Sequence, residues 1–293
     1  MVSTVSVYGY PVNVGQAVAT GLALAAVTGY AVKKMVCPPT QKPLSDTAFW
    51  ERIETTPTAA EESGPFVAGD TTYPSVADAK RTIMLSCDAT SEFVYKHLIR
   101  PDFKGTVLDL GGGTGANALP LVAKGCKVTL IEEEKSAIDG YDVNEIGLRV
   151  FKGSNWNQLH RAQTICADLT EHPYPKNVDA VICVDTLPYL PPAKLKATMD
   201  KIFQALRPGG KFIGTIYYKS NPEGDQLTES MGKLGAHFYP GKDFAREIVT
   251  RSGFQIKQER EDHYGGYGGF FSRSHRLEFL AEKPAYLPRG LIT

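Results

Sequence analysis

The chain of 293 residues has no surplus of either charge, with 32 Lys and Arg against 32 Asp and Glu. No global field draws it to nucleic acid, no Lys/Arg cluster stands out, and no nucleic-acid partner is expected. Its five cysteines (Cys37, Cys87, Cys126, Cys166 and Cys183) are scattered without CxxC or His pairing. That scatter argues against a metal site. Cys126, Cys166 and Cys183 sit beside or inside strand-like runs and read as small buried hydrophobes of a reduced compartment. Long hydrophobic runs are scarce as well. The most apolar stretch, Val14 to Val32, is 19 residues long and closed by Lys33-Lys34, which barely reaches the length of a membrane span. It is diluted by Gln16, Thr20, Thr28 and three glycines. No Lys or Arg precedes it, which argues against a secretory signal.

What the chain does have is concentrated in nine residues, Val107 to Gly115 (VLDLGGGTG). An aliphatic run ends in Asp109, one apolar residue follows, and then come four glycines in five positions. Helix-compatible residues continue from Ala116 to Lys124. This pattern predicts a buried strand, a tight turn and a helix start. Glycines there adopt positive φ and let a ligand approach the backbone. The open helix N-terminus offers unpaired N–H groups, the arrangement with which an α/β sheet holds a nucleotide-like cofactor.

Glycine spacing alone fits a dinucleotide fingerprint, Gly111-x-Gly113-x-x-Ala116. Asp109, two residues before the first glycine, would repel a pyrophosphate; it suits a cofactor carrying an ammonium group and a sulfonium. A second strand, Lys127–Glu132, ends in an acid 17 positions after Gly115, where a ribose diol needs an acceptor. A third strand-like run, Gln163–Ala167, leads into Asp168. Each acid also admits a plainer reading: Asp109, Asp168 and Asp185 as caps or loop starts, Glu132 as part of a solvated acidic run.

With these residues in order, the chain resembles the class I S-adenosylmethionine-dependent methyltransferases, over roughly Pro74 to Lys283. VLDLGGGTG is similar to the family's first motif. Glu132 matches its acid at the end of the second strand, and Ala167-Asp168-Leu169 the acid that meets the adenine amino group. Val178–Leu190 resembles the fourth strand and its loop, and Leu206–Thr215 the following turn and fifth strand. The pattern is closest to members acting on small molecules.

The resemblance implies an α/β, Rossmann-like, doubly wound seven-stranded sheet of order 3-2-1-4-5-7-6 with the last strand antiparallel. S-adenosylmethionine is the expected cofactor, S-adenosylhomocysteine the product, and no metal is expected. The expected cofactor residues are Asp109, Gly111, Gly112, Gly113, Gly115, Glu132, Asp168, Leu169 and Asp185. Substrate contacts are expected from Tyr189, Tyr217, Tyr264 and Tyr267, and catalytic help, if needed, from His237 and Tyr239. The segment His263–Phe271, alternating glycines and aromatics, reads either as a lid over the substrate or as a hairpin loop covering the sheet edge. The fourth-strand loop, Asp185-Thr186-Leu187-Pro188-Tyr189, departs from the Asn/Asp-Pro-Pro-Tyr of many amino-directed members. The expected function is methyl transfer to a small-molecule O, N or S nucleophile. Its rivals are a protein methyltransferase, a non-catalytic cofactor-binding protein and a nicotinamide dehydrogenase.

The predicted strands are 106–110, 127–132, 163–167, 180–184, 211–218, 254–261 and 276–281. The predicted helices are 76–85, 91–99, 116–124, 192–206 and 242–252, with Pro208-Gly209-Gly210 ending the fourth. Gly140, Gly147 and Gly153 argue against a regular helix over 136–157. A division is expected between an N-terminal extension, 1–72, and a catalytic domain, 73–293. In the extension, 37–75 reads as a linker or wrapping arm whose Phe49, Trp50 and Ile53 pin a short helix to the domain. Residues 14–32 admit three readings: a helix packed on the domain or on a second copy, a membrane anchor with its lysines cytoplasmic, or a disordered or processed extension. The expected location is cytoplasmic, with membrane association through 14–32 as the alternative.

Overall fold

A computed structural model describes residues 4–7, 10–13, 44–56, 64–68, 71–79, 90–138, 162–220, 231–261 and 276–285. The chain divides into two compact units, 1–47 and 48–293. In the first, strands β1 (Thr4–Val7) and β2 (Tyr10–Asn13) pair antiparallel, Val7 opposite Tyr10 and Thr4 opposite Asn13. β-Branched residues suit the ladder, and Pro11 is accommodated because each strand of a two-stranded ladder has an open edge. Residues 14–32, Tyr264, Tyr267 and most of 136–157 lie outside the described residues. Among the described residues no helix is long and apolar enough to cross a membrane.

The second unit takes in the expected 73–293 together with 48–72. A short antiparallel pair, β3 (Phe66–Ala68) and β4 (Thr71–Tyr73), precedes a seven-stranded sheet. Its strands are β5 (Thr106–Leu110), β6 (Lys127–Glu132), β7 (Ala162–Cys166), β8 (Val178–Cys183), β9 (Leu206–Tyr217), β10 (Gln255–Glu261) and β11 (Arg276–Glu282). The order is β10-β11-β9-β8-β5-β6-β7. Pairs from β7 to β9 are parallel, and β11 runs antiparallel to both β9 and β10. This is the expected order with the seventh strand reversed.

Helices α1 (Asp46–Glu54), α2 (Glu92–His97), α3 (Ala118–Ala123), α4 (Pro192–Ala205) and α5 (Lys242–Arg251) cover the sheet. Strand alternation divides them between two faces. Leu108, Leu110, Val181, Phe212 and Phe279 join the apolar sides of α1, α4 and α5 in one core. Val107, Val128, Leu130, Ala180, Ile182 and Ile213 join α2 and α3 in the other. Coverage on both faces explains why β5 and β8 read as continuous apolar runs. Phe49, Trp50 and Ile53 of α1 are all buried.

One boundary differs from expectation. Pro208-Gly209-Gly210 does not end α4, because Leu206 is already extended and paired with Val178. The glycines instead lie within β9, where Gly209 takes φ +72° and the register against β8 slips between Val178 and Ala180. Lys283 supplies the stop. Its Nζ donates to the Phe203 and Leu206 carbonyls at 2.8 and 2.7 Å, satisfying acceptors that a helix end leaves open.

Candidate functional site

The parallel strands present their carboxyl ends on one edge, where α/β sheets bind ligands. The turn after β5 is built by glycines for two distinct reasons. Gly111, Gly113 and Gly115 have φ of +62°, +54° and +85°, a region costly for residues with a Cβ. The space before each differs. A Cβ at Gly111 would collide with the Thr186 side chain, and one at Gly112 would meet Leu130 at 2.6 Å and Asp109 at 3.1 Å. A Cβ at Gly113 would meet nothing within 4 Å. Gly111 and Gly112 thus make room for protein, while Gly113 faces open space in which a ligand can lie against the backbone.

Two carboxylates lie beside this turn. Asp109 is 1% exposed, and its Oδ2 has no hydrogen-bond partner among the described residues. Burial, with the Glu132 charge added, pushes its pKa up to about 7. Glu132, 3% exposed, accepts from the Gly113 N–H at 3.0 Å through Oε2 and from the Glu134 N–H at 2.9 Å through Oε1. Burial raises its pKa too, opposed by those backbone donors. A buried acid pair with one unpartnered oxygen favours a cationic ligand group, which would offset the desolvation of the carboxylates.

Across β6 and β7, Asp168 begins a loop tethered to α4. Its Oδ1 accepts from the Thr170 N–H and hydroxyl, both at 2.7 Å. Lys194 lies 3.7 Å from its Oδ2. Burial tends to raise the Asp168 pKa, but Thr170 and Lys194 outweigh it and hold the carboxyl below its ordinary value. Lys201 Nζ donates to the Leu169, Thr170 and His172 carbonyls at 3.1, 3.1 and 2.7 Å. Leu169 is buried in the core. The Asp168 carboxylate remains 45% exposed on a fixed loop, able to accept from a ligand amino group.

Asp185 is placed differently from the expected cofactor contact. It sits just after β8 in the left-handed region, φ +55°. Its carboxylate turns to β9 and β11: Oδ1 accepts from Thr215 Oγ1 at 3.2 Å, Tyr217 OH at 3.1 Å and Arg276 Nε at 2.8 Å, and Oδ2 from Arg276 Nη2 at 3.0 Å. Its N–H donates to Thr215 Oγ1 at 2.6 Å. The following Thr186 serves the glycine turn instead, with its Oγ1 3.1, 3.3 and 3.2 Å from the carbonyls of Leu110, Gly111 and Val184. Sequence reading singled out neither Thr186 nor Arg276. Their type and position carry no motif, and only the fold brings Arg276 to Asp185.

The remaining candidates form an aromatic wall on the β9 side. Tyr189, in a 3-10 turn over Leu187–Tyr189, meets Tyr217 edge-on with centroids 6.3 Å apart, and Phe238 lies 5.4 Å from Tyr217 on the other side. Phe66, Val76, Met231, Leu234 and Ala236 pack with Tyr217 behind them. Burial, then the Asp185 charge, raises the Tyr217 pKa well above the ordinary phenol value, so its hydroxyl stays a donor. His237 anchors this wall to the β8 loop, its N–H donating to the Pro188 carbonyl at 2.7 Å. Burial lowers the His237 pKa and leaves the imidazole neutral near pH 7. Tyr239 is separated from this group. Its N–H bonds the Tyr217 carbonyl at 3.0 Å, and its ring lies in the helical core, stacked on Phe244 of α5 at 6.0 Å. That placement counts against a substrate contact. Among the described residues no cluster of three or more His, Cys, Asp or Glu is arranged to hold a metal.

Residues 107–210 match the family model described as a methyltransferase domain. No curated protein matches the chain in sequence. Among solved structures, a chain of the complex between the Haloferax volcanii Trm112 methyltransferase activator and a methyltransferase aligns at 16% identity. That match covers 71% of this chain and 96% of that one, with a TM-score of 0.51. TehB from Haemophilus influenzae aligns at 15% identity over 72% of this chain and 68% of its own, with a TM-score of 0.50. At such identities the likeness is one of fold.

Proposed function

We propose that the chain, whose residues 107–210 match a methyltransferase-domain model, binds S-adenosylmethionine and transfers its methyl group to a small-molecule acceptor. The observation that carries this reading is the turn itself. It offers open space at Gly113, unlike Gly111 and Gly112, beside a buried acid pair in which Asp109 Oδ2 has no partner among the described residues. A dinucleotide pyrophosphate would meet two carboxylates there; a cofactor with an ammonium and a sulfonium meets compensation.

When bound, the cofactor supplies an electrophilic methyl carbon with a neutral thioether as leaving group. The chain's residues bind and orient. Asp109 and Glu132 provide the negative surroundings for the cationic end and acceptors for the ribose hydroxyls, and Asp168 an acceptor for the adenine amino group. The acceptor is assigned to the wall of Tyr189 and Tyr217. To His237, whose buried imidazole is held neutral, we assign removal of a proton from an acceptor hydroxyl or ammonium. Methyl transfer needs little more than such positioning, because the leaving group is good.

Calorimetry with S-adenosylhomocysteine tests the cofactor assignment. Binding is expected for the full chain and loss of binding for Gly113→Val; equal affinity in both proteins would sink the assignment. Release of S-adenosylhomocysteine on incubation with S-adenosylmethionine and a metabolite extract tests transfer.

A further inference from the structure

Two lysines of α4 reach the loop that carries Asp168, and they hold it differently. Lys194 reaches side chains: Thr170 Oγ1 at 3.0 Å, Glu171 at 2.6 Å and Asp168 Oδ2 at 3.7 Å. The two acids are 71% and 45% exposed, and ion pairs so exposed contribute little. Lys201 reaches backbone. Asp168 opens a single turn, its carbonyl accepting from the Glu171 and His172 N–H groups at 3.1 and 2.9 Å. A turn that short leaves its later carbonyls without donors of its own. Those of Leu169, Thr170 and His172 converge on the Lys201 ammonium at 3.1, 3.1 and 2.7 Å. An ammonium has three donors and no acceptor, so donors and carbonyls match. The same Nζ lies over the Tyr174 ring, 4.3 Å from its centroid, a contact that favours a cation. The Tyr174 hydroxyl donates to the Leu169 carbonyl at 2.8 Å.

This cage reaches Asp168 through one peptide plane. The carbonyl of the Leu169–Thr170 peptide accepts from Lys201 and Tyr174. Its N–H donates to Asp168 Oδ1 at 2.7 Å. Because the peptide is planar, fixing its carbonyl fixes the direction from which the carboxylate is held. The Thr170 hydroxyl, also 2.7 Å from Oδ1, follows the same backbone.

We propose that Lys201 is a positioning residue for the cofactor, setting selectivity for adenine by orienting Asp168 through the Leu169–Thr170 peptide. This rests on the adenine contact assigned to Asp168 above. Without the ammonium three carbonyls lose a donor at once, and the turn relaxes away from the geometry that aims the acid.

The test is calorimetry with S-adenosylhomocysteine and with S-inosylhomocysteine, in which oxygen replaces the adenine amino group. The unsubstituted chain is expected to prefer adenine by about tenfold or more, because the carboxylate loses its donor in the analogue. Lys201→Met keeps an apolar stem and is expected to bring the preference below about twofold, with affinity for the inosine analogue nearly unchanged. A purely structural defect would weaken both ligands alike. Tyr174→Phe keeps the ring and removes one of the two donors to Leu169, and an intermediate preference is expected. Hydrogen exchange reads the loop without any ligand: the Glu171 and His172 amides are expected to exchange about tenfold faster in Lys201→Met. Unchanged preference in either variant, equal loss for both ligands or unchanged exchange would overturn the proposal. So would an unfolded Lys201→Met, which would assign the lysine to the stability of the domain. Failure of S-adenosylhomocysteine to bind the unsubstituted chain would refute the cofactor assignment separately, because exchange still decides whether Lys201 holds the loop.

Discussion

The β5–β6–β7 half of the sheet edge and the β8–β9–β11 half are built on opposite principles. In the first, backbone does most of the shaping, and charge is left uncompensated: Asp109 Oδ2 has no partner among the described residues. In the second, side chains satisfy one another, with Asp185, Thr215, Tyr217 and Arg276 closing a ring of hydrogen bonds. The first half leaves acceptors and open backbone that a ligand can meet; the second holds its side chains in place by one another.

The largest effect that would break this contrast is expected at Gly112. Gly112→Val must displace Leu130 and Asp109, so both fold and cofactor binding are expected to fail, by roughly 3 kcal/mol or more for an overpacked core, read by thermal melting and calorimetry. Gly113→Ala separates the two quantities. The left-handed φ costs about 1–2 kcal/mol of stability, while the methyl occupies the ligand's space and lowers affinity for S-adenosylhomocysteine far more than it lowers the melting temperature. Equal affinity in wild type and Gly113→Ala would place the ligand elsewhere.

Asp109 sharpens the contrast through pH. Its folded pKa of about 7 lies above the ordinary 3.8. Between those values the unfolded chain releases the proton while the folded one keeps it. Its contribution to stability is thus full below 3.8, declines as pH rises to about 7, and is level above. Asp109→Asn should flatten that part of a urea-denaturation pH series. Affinity for S-adenosylhomocysteine should rise with pH up to about 7 in the wild type, because binding a cation favours the ionised acid, and lose that dependence in Asp109→Asn. Glu132→Ala should weaken binding by ~1–3 kcal/mol, the range for a lost bond to a charged group, and Glu132→Gln by less, because the amide oxygen still accepts. Smallest is Lys194→Ala. Its ion pairs are exposed, so cofactor affinity should change by no more than about twofold, and a larger loss would show that the Asp168 loop depends on that tether.

The same asymmetry governs what could be read from sequence. The strands and the glycine turn were legible because backbone demands leave fixed residue types at fixed spacings; the strand order came only with the family resemblance that those motifs carry. The Asp185 cluster was not, because Asp185 meets Arg276 across 91 positions and nothing local marks the pair. Asp185 was read as a cofactor contact from its position after a strand; in the fold its carboxylate is bonded to Thr215, Tyr217 and Arg276. Tyr239 was grouped with His237 by closeness in sequence, yet its ring packs in the core on Phe244 of α5, a contact that nothing local announces. Pro208-Gly209-Gly210 looked like a helix stop because the cap that replaces it, Lys283, lies far along the chain.

The position of β11 has a consequence for how the molecule is made. It is the last of the described strands to leave a ribosome, yet it lies second from the sheet edge, between β9 and β10. Until it arrives β10 has no partner and β9 lacks one of its two, while the β5–β6–β7 half has all its strands. Arg276 arrives on this strand, as does Glu278, which accepts from Ser91 at the start of α2. A nascent chain halted before residue 276 can assemble the cofactor turn but not the Asp185 cluster. Synthesis therefore completes the two halves in sequence, and a truncation that removes β11 should leave an aggregation-prone open edge rather than a smaller working enzyme.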